Sequence, residues 1–324
     1  MDNTCHDAKD RAMHPLQSHL SSVVLFLFVA CCSPLQAAQS VRVFILAGQS
    51  NMVGAGEVSA DPNRNQGKGS LEWLVQESDQ ADHYARLLDT NDQWLKRRDV
   101  KIWFFDQFGD LSPGYGGRTN TIGPELGFGW IMGDAFEQPV LLIKIAWGGK
   151  SLAEDFRPPS AGGAIGSFYS ELISTSHEVL QNAGSLFPEL DDHSFQLTGF
   201  GWHQGWNDRV NQTFNDEYEK NLSYFIRDVR KDLHAPLLPF VIAETGMSGP
   251  EEKHPRALSL MAAQAAVAKK KEFKGNVAFV ETKNFYRPPE VSPSRQGYHW
   301  NNNAETYFLI GEGMGKAMLS LLDN

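Results

Sequence analysis

Cysteine is nearly absent from this chain of 324 residues, which contains three. Cys5, Cys31 and Cys32 all lie near the start of the sequence. The rest of the chain can therefore form no disulfide, no thiolate metal site and no cysteine nucleophile. Long apolar runs are lacking as well. The apolar stretch "VVLFLFVACC" covers only Val23–Cys32, which is too short to span a bilayer, so no stable membrane span is expected.

The same apolar stretch has the layout of a secretory signal peptide, because the small residues of "PLQAAQS" follow it. Cleavage is expected near Ala37 or Ala38. Residues 1–38 are therefore interpreted as a signal peptide and residues 39–324 as a single domain. The protein is expected to be exported and to be periplasmic or secreted. The alternative is a lipoprotein signal in which Cys31 carries the lipid.

Basic clusters are also lacking, and the net charge is −10. An acidic chain without a basic patch is a poor partner for nucleic acid, so a neutral or weakly charged substrate is expected. The ten histidines are scattered and form no His-x-x-x-His pair, so no metal is expected. The glycine-rich segments match neither a Walker motif nor a dinucleotide fingerprint, and no cofactor is expected.

Short apolar strand candidates alternate with helical patterns along the chain. The strand candidates are Val41–Ala47, Val100–Phe105, Pro139–Ala146, Phe195–His203, Leu238–Glu244 and Val277–Thr282. The helix candidates are Glu125–Phe136, Phe168–Asn182, Asn215–Leu233, Pro255–Phe273 and Ala304–Leu322. This alternation predicts an α/β fold with a doubly wound parallel sheet. Ligands of such sheets bind outside the carboxyl ends of the strands. Two long loops, Gly56–Asp99 and Asp106–Gly123, are expected to wall a pocket.

Polar residues and glycines follow several of these strands at the expected ligand-binding edge. Each of them alone is commonly a turn, a cap or a loop residue. Together they supply the parts of an acyl-transfer site: a hydroxyl nucleophile, an imidazole base, backbone N–H donors and a side-chain amide. The residues in question are Ser50 in "GQSNM", Gly148 and Gly149 in "WGGKSL", Gln204 and Asp208 in "WHQGWND", and His299 in "GYHWNNN".

Four segments, "ILAGQSNMVG", "IGPELGFG", "IAWGGKSL" and "WHQGWND", occur in this order. With them the chain resembles the SGNH hydrolases, specifically the sialate O-acetylesterase and acetylxylan esterase branch, carbohydrate esterase family six. The resemblance runs from about Val41 to the C-terminus. It implies a three-layer, flavodoxin-like fold with about five parallel strands and helices on both faces. It also implies hydrolysis of O-acetyl esters on sugars without a cofactor.

The resemblance assigns roles to individual residues of this sequence. Ser50 matches the nucleophile and His299 matches the base. The oxyanion hole matches the backbone N–H of Ser50, that of Gly149 or Gly148, and the side-chain amide of Gln204. The physical roles agree, because a glycine lets the backbone approach the substrate and a glutamine donates an N–H without competing as a nucleophile.

The third member of a catalytic triad does not match. Many relatives carry a carboxylate three residues before the histidine or directly after Gln-Gly, and here these positions are Gln296 and Trp206. Three alternatives stay open for the group that orients His299. They are Asp208, a backbone carbonyl in a Ser–His dyad, and the more remote Glu290.

Four further residues are expected to bind the substrate: Gln49, Asn51, Trp147 and Trp206. Aromatic faces suit the apolar face of a sugar ring, although core or rim packing is the ordinary role of a tryptophan. The expected substrate is an acetylated oligo- or polysaccharide. Two other functions remain open: a non-catalytic carbohydrate-binding relative that has lost its triad acid, and a transferase that passes acetyl to another sugar hydroxyl.

Overall fold

A central sheet of seven strands dominates the computed structural model, which describes residues 40–323. The strands of the described residues are β1 (Ser40–Gly48), β2 (Gly56–Glu57), β3 (Arg97–Phe104), β4 (Gln107–Leu111), β5 (Thr121–Ile122), β6 (Val140–Ala146), β7 (Ser194–His203), β8 (Phe240–Ala243) and β9 (Val277–Val280). Their order in the large sheet is β4-β3-β6-β1-β7-β8-β9, and β2 pairs with β5 separately. All neighbours in the large sheet are parallel except β3 and β4.

Helices cover both faces of this sheet. The α-helices of the described residues are α1 (Ser50–Val53), α2 (Leu71–Gln76), α3 (Ala81–Tyr84), α4 (Glu125–Ala135), α5 (Ser167–Leu186), α6 (Trp206–Arg209), α7 (Gln212–Asp232), α8 (Pro255–Ala268) and α9 (Ala304–Leu322). Side chains alternate along β1, so Val43 and Ile45 pack into the core formed with α5, α7 and α8. Phe44 and Leu46 pack into the opposite core, formed with α4 and α9.

The predicted α/β class is confirmed, and all six strand candidates are strands of the large sheet. The sheet has seven strands rather than about five. The sequence did not indicate β4, which lies inside the loop expected over Asp106–Gly123. A two-residue turn joins it to β3, and Phe105 adopts a positive φ of 54° there. Because this turn lacks the Asn-Gly or Asp-Gly pair typical of tight hairpins, no local signal marked it.

The described residues belong to one compact unit, Ala38–Asn324. None of the helices described in it is long and apolar enough to cross a membrane. The predicted signal peptide, with Cys31, lies outside the described residues.

Candidate active site

The turn that carries Ser50 begins where β1 ends. Gly48 is required there, because its φ is 154° and a Cβ at this position would lie 2.1 Å from the carbonyl oxygen of His203. The backbone N–H of Gln49 donates to the same carbonyl at 3.2 Å. This close approach of β1 and β7 places Ser50, the first residue of α1, at the carboxyl edge of the sheet.

Ser50 and His299 line the same cavity, which has a volume of about 590 Å³. Both residues are partly exposed. His299 lies in the turn Gly297–Asn302, directly before α9. The structure thus brings together a hydroxyl and an imidazole that are remote in sequence.

Among the described residues, no carboxylate forms a hydrogen bond or an ion pair with the His299 imidazole. Its ring packs edge-on against the ring of Tyr298, with centroids 4.6 Å apart. Neither ring nitrogen forms a hydrogen bond with another residue in the part of the chain that the structure describes. Burial alone lowers the pKa of the imidazole below 6.5, and no neighbouring charge raises it. The imidazole is therefore neutral at pH 7 and available as a base.

Asp208 does not orient His299, and this prediction is corrected. The Asp208 carboxylate is buried and accepts hydrogen bonds from the backbone N–H of Leu152 at 2.8 Å and of Ala153 at 2.9 Å. It also accepts one from Gln204 Nε2 at 2.6 Å. Burial raises the pKa of Asp208 to about 6, although these hydrogen bonds favour the ionised form. The carboxylate therefore holds the loop after β6.

The other two alternatives for the group that orients His299 are Glu290 and a backbone carbonyl. Glu290 is exposed and forms no hydrogen bond or ion pair with His299 among the described residues. In residues 40–323, no backbone carbonyl is hydrogen-bonded to the imidazole either. Among the described residues, none of the three predicted groups is hydrogen-bonded to the imidazole, and Ser50 is not hydrogen-bonded to it either.

Gln204 is not free to face an oxyanion, which corrects a second prediction. Its side chain is 1% exposed. Its amide nitrogen donates to Lys150 O at 2.9 Å, Gln49 Oε1 at 3.2 Å and the Asp208 carboxylate. Its amide oxygen accepts from the hydroxyl of Tyr218 at 3.0 Å. All of its polar atoms are therefore engaged within the protein.

Gly149 is the donor candidate that stays open. It is exposed, its φ is 70°, and a Cβ there would meet nothing within 4 Å. The N–H groups of Gly149 and Ser50 donate to no acceptor in residues 40–323. Asn207 Nδ2 holds the glycine loop by donating to Gly149 O at 3.0 Å. Two backbone donors thus remain free at the edge of the sheet.

The amides that flank Ser50 are structural, in contrast to their predicted role in substrate binding. Gln49 and Asn51 are each 2% exposed. Gln49 Oε1 accepts from the backbone N–H of Gly205 at 3.0 Å and Gln49 Nε2 donates to Asn207 at 3.1 Å. Asn51 Nδ2 donates to Tyr298 O at 3.0 Å. Both side chains join strand-end segments to one another and leave little surface for a ligand.

The two predicted tryptophans occupy different surroundings. Trp147 packs among Phe105, Phe156 and Phe168, with ring centroids 5.0 to 5.9 Å away. It is a half-buried member of the core. Trp206 is also half-buried, and its ring lies 5.8 Å from that of Tyr298, the neighbour of His299.

Three charged residues of the cavity were not expected from the sequence. Glu57, Arg64 and Arg118 line it together with Ser50 and His299. The Arg118 guanidinium pairs with Glu57 at 2.7 Å, and that of Arg64 lies 3.4 Å from the same oxygen. The two arginine side chains are 64% and 54% exposed. They come from the two long loops, where no periodic pattern or motif distinguishes a lining residue.

A buried ion pair supports the Ser50 turn from below. Lys144 Nζ donates at 2.6 Å to each of three oxygens: Val53 O at the end of α1, Tyr115 O and Glu125 Oε2. The side chains of Lys144 and Glu125 are 0% and 1% exposed. Burial raises the pKa of Glu125 and lowers that of Lys144, while their mutual attraction opposes both shifts. The pair therefore fixes α1 to the loop between β4 and β5 and to α4.

Ser50 and His299 share a cavity at the carboxyl edge of a parallel sheet, and a hydroxyl and an imidazole are side chains that a carboxylic ester hydrolase can use. Comparison with protein-family models gives the particular family. The model described as "Carbohydrate esterase, sialic acid-specific acetylesterase" matches residues 40–320. The chain belongs to this family and is a carboxylic ester hydrolase acting on acetyl groups of carbohydrates.

The chain is also similar to solved structures at low identity, and a TM-score above 0.5 for one of them shows the same fold. A protein from Arabidopsis thaliana is 17% identical, with a TM-score of 0.55 over 86% of this chain and 98% of that one. A carbohydrate acetylesterase from Xanthomonas citri is 15% identical, with a TM-score of 0.49 over 85% and 55%. A carbohydrate esterase family 2 enzyme with a carbohydrate binding domain, from Corynascus thermopiles (Myceliophthora fergusii), is 13% identical, with a TM-score of 0.44 over 90% and 69%. No curated protein matches the chain.

Proposed function

We propose that this chain removes O-acetyl groups from acetylated oligo- or polysaccharides through an acetyl-enzyme on Ser50, with His299 as the base. The observation that carries the proposal is the shared cavity of the two residues. The neutral state that burial favours for the imidazole supports its role. We further propose that the protein is exported after removal of residues 1–38, which N-terminal sequencing of the mature protein would test.

The reaction proceeds in two steps. His299 takes the hydroxyl proton of Ser50 while the serine oxygen attacks the acetyl carbonyl. The tetrahedral intermediate then expels the sugar oxygen, which takes the proton from His299. Water next attacks the acetyl-enzyme, giving its proton to His299. Collapse of the second intermediate releases acetate and returns the proton to Ser50.

The developing oxyanion is held by the free N–H groups of Ser50 and Gly149. Asn207 replaces Gln204 as the side-chain donor, because it is partly exposed and only one of its two amide hydrogens is engaged, with Gly149 O. Each such donor contributes on the order of a hundredfold to the rate. Gln204 and Asp208 act indirectly by holding the loop that presents Gly149.

The substrate sugar carries a negative charge, in contrast to the neutral one expected from composition. Arg64 and Arg118 line the cavity beside Ser50; both pair with Glu57, and Arg64 also lies 3.5 Å from Asp61. Most of their N–H donors are free to bind a carboxylate. The family description names sialic acid, an acidic sugar. Arg118→Gln should raise KM for an acetylated acidic sugar and leave KM for p-nitrophenyl acetate unchanged. Arg227→Gln, which breaks a pair with Glu272 outside the cavity, is the matched control.

Hydrolysis of p-nitrophenyl acetate by the pure protein and by Ser50→Ala tests the proposal. We expect turnover by the wild type and its loss in Ser50→Ala. Ser59→Ala is the control, because Ser59 is exposed and does not line this cavity. No turnover by folded wild type that still binds an acetylated glycan would favour a carbohydrate-binding protein. Acetylated product formed when acceptor glycans are added would favour a transferase.

A further inference from the structure

Two asparagine side chains join the turn of His299 to the turn of Ser50. Asn51, the residue after Ser50, donates from Nδ2 to Tyr298 O at 3.0 Å. Asn302 donates from Nδ2 to Ala55 O at 2.9 Å. These hydrogen bonds lie on either side of His299 in sequence. They fix its backbone to the segment that carries the nucleophile.

Tyr307 of α9 completes this connection. Its hydroxyl is buried and lies 2.8 Å from Asn51 Oδ1, to which it donates, and 3.4 Å from His299 O. Both ends of the Asn51 amide are therefore held, one by α9 and the other by the backbone next to His299. In a buried site, such fully engaged polar groups allow a single arrangement.

The backbone after His299 is also unusual. Trp300, Asn301 and Asn302 have positive φ values of 51°, 57° and 58°. Three successive non-glycine residues rarely adopt this left-handed conformation, and it persists only where the surroundings impose it. The bond from Asn302 to Ala55 contributes to this constraint on the side of the Ser50 turn.

An imidazole without a hydrogen-bonding acid must be positioned through its own backbone. We propose that Asn51, Asn302 and Tyr307 are positioning residues that hold His299 against Ser50 and take over the orienting task of the missing triad acid. This inference rests on the proposed function. It implies that disturbing them slows the chemical step while substrate binding is retained.

Asn302 and Asn301 form a matched pair for the test. Both residues are buried and have a left-handed backbone conformation, and the side-chain amide of each donates to one backbone carbonyl. Only the bond of Asn302 reaches the Ser50 turn, whereas that of Asn301 reaches Arg287. Glycine tolerates the left-handed backbone, so Asn302→Gly and Asn301→Gly remove the amide without adding strain.

The experiment measures kcat and KM for p-nitrophenyl acetate together with Tm. We expect Asn302→Gly to lower kcat by about tenfold to a hundredfold at unchanged KM, as a small misplacement of the base does. Asn301→Gly should lower Tm by a similar amount and keep its kcat. Because Asn302 lines the cavity and Tyr307 does not, Tyr307→Phe is measured as well, against Tyr169→Phe, whose lost hydroxyl binds Asp232. This second pair gives the same contrast even if Asn302→Gly does not fold.

The outcomes separate the two proposals. If the wild type is active and depends on Ser50, but kcat falls equally in both members of each pair, the positioning role is refuted and the esterase mechanism stands. If the wild type does not turn over the ester, the mechanism fails and the positioning role fails with it.

Discussion

Replacing Asp208 by asparagine distinguishes two possible roles of this residue: the acid of a catalytic triad and the anchor of the loop after β6. The carboxylate is fully buried, and burial raises its pKa from 3.8 to about 6, so ionised Asp208 at pH 7 costs the folded state about 3 kcal/mol relative to a carboxylate in water. Asparagine removes that charge but turns an NH2 group towards N–H donors. An unsatisfied buried group costs about 1–3 kcal/mol. Because the two effects oppose each other, we expect the free energy of unfolding to change by less than about 2 kcal/mol.

The effect on catalysis is the decisive measurement. If Asp208 anchors the loop, Asp208→Asn should lower kcat for p-nitrophenyl acetate by no more than about tenfold, because the Gly149 loop shifts only slightly. In a serine triad the same exchange lowers kcat by about ten-thousandfold. Asp155→Asn is the control, because Asp155 accepts from the Ser151 backbone in the same loop. A fall of four orders of magnitude in Asp208→Asn, with Tm retained, would refute our interpretation and restore Asp208 as the triad acid.

Three further predictions concern buried ionisable groups. Because burial lowers the pKa of His299, the acid limb of the kcat/KM profile should lie below pH 6.5. A limb at higher pH would contradict an imidazole that has no carboxylate beside it. Burial also lowers the pKa of His203 to about 4. His203 therefore binds a proton at higher pH in the unfolded chain than in the folded one. As the pH falls from 6.5 towards 4, the free energy of unfolding decreases by about 3 kcal/mol. His203→Asn should flatten that part of the stability–pH curve in urea titrations, and an unchanged curve would argue against a neutral buried His203. Lys144→Met should cost about 3–5 kcal/mol by leaving Glu125 without its partner. Lys144→Met with Glu125→Gln should recover much of this loss, and failure to do so would mean that the bonds to Val53 and Tyr115 dominate.

The sequence was sufficient for the α/β class and for six of the seven strands of the large sheet, because these strands are nearly continuous apolar runs separated by helical patterns. It also indicated Ser50 and His299, since residues that follow parallel strands gather at one edge of the sheet. Their shared cavity agrees with that expectation.

The sequence was misleading where polar residues at that same edge bind one another. Gln49, Gln204 and Asp208 have the side chains of a catalytic site, but backbone N–H and C=O groups of three neighbouring loops need partners there. Only burial and contact distances distinguish a side chain that meets a substrate from one that holds a loop. Arg64 and Arg118 could not be found either, because no periodic pattern sets which residues of a long loop line the cavity.

The bond from Asn51 to Tyr298 spans 247 positions. Under the proposed mechanism, a nascent chain in which synthesis has not yet reached residue 299 would present Ser50 without the imidazole proposed to activate it. Reactivity should therefore arise late in biogenesis, when the segment that follows β9 docks onto the turn made first. An active-site probe applied to ribosome-stalled intermediates of increasing length would reveal the onset of labelling.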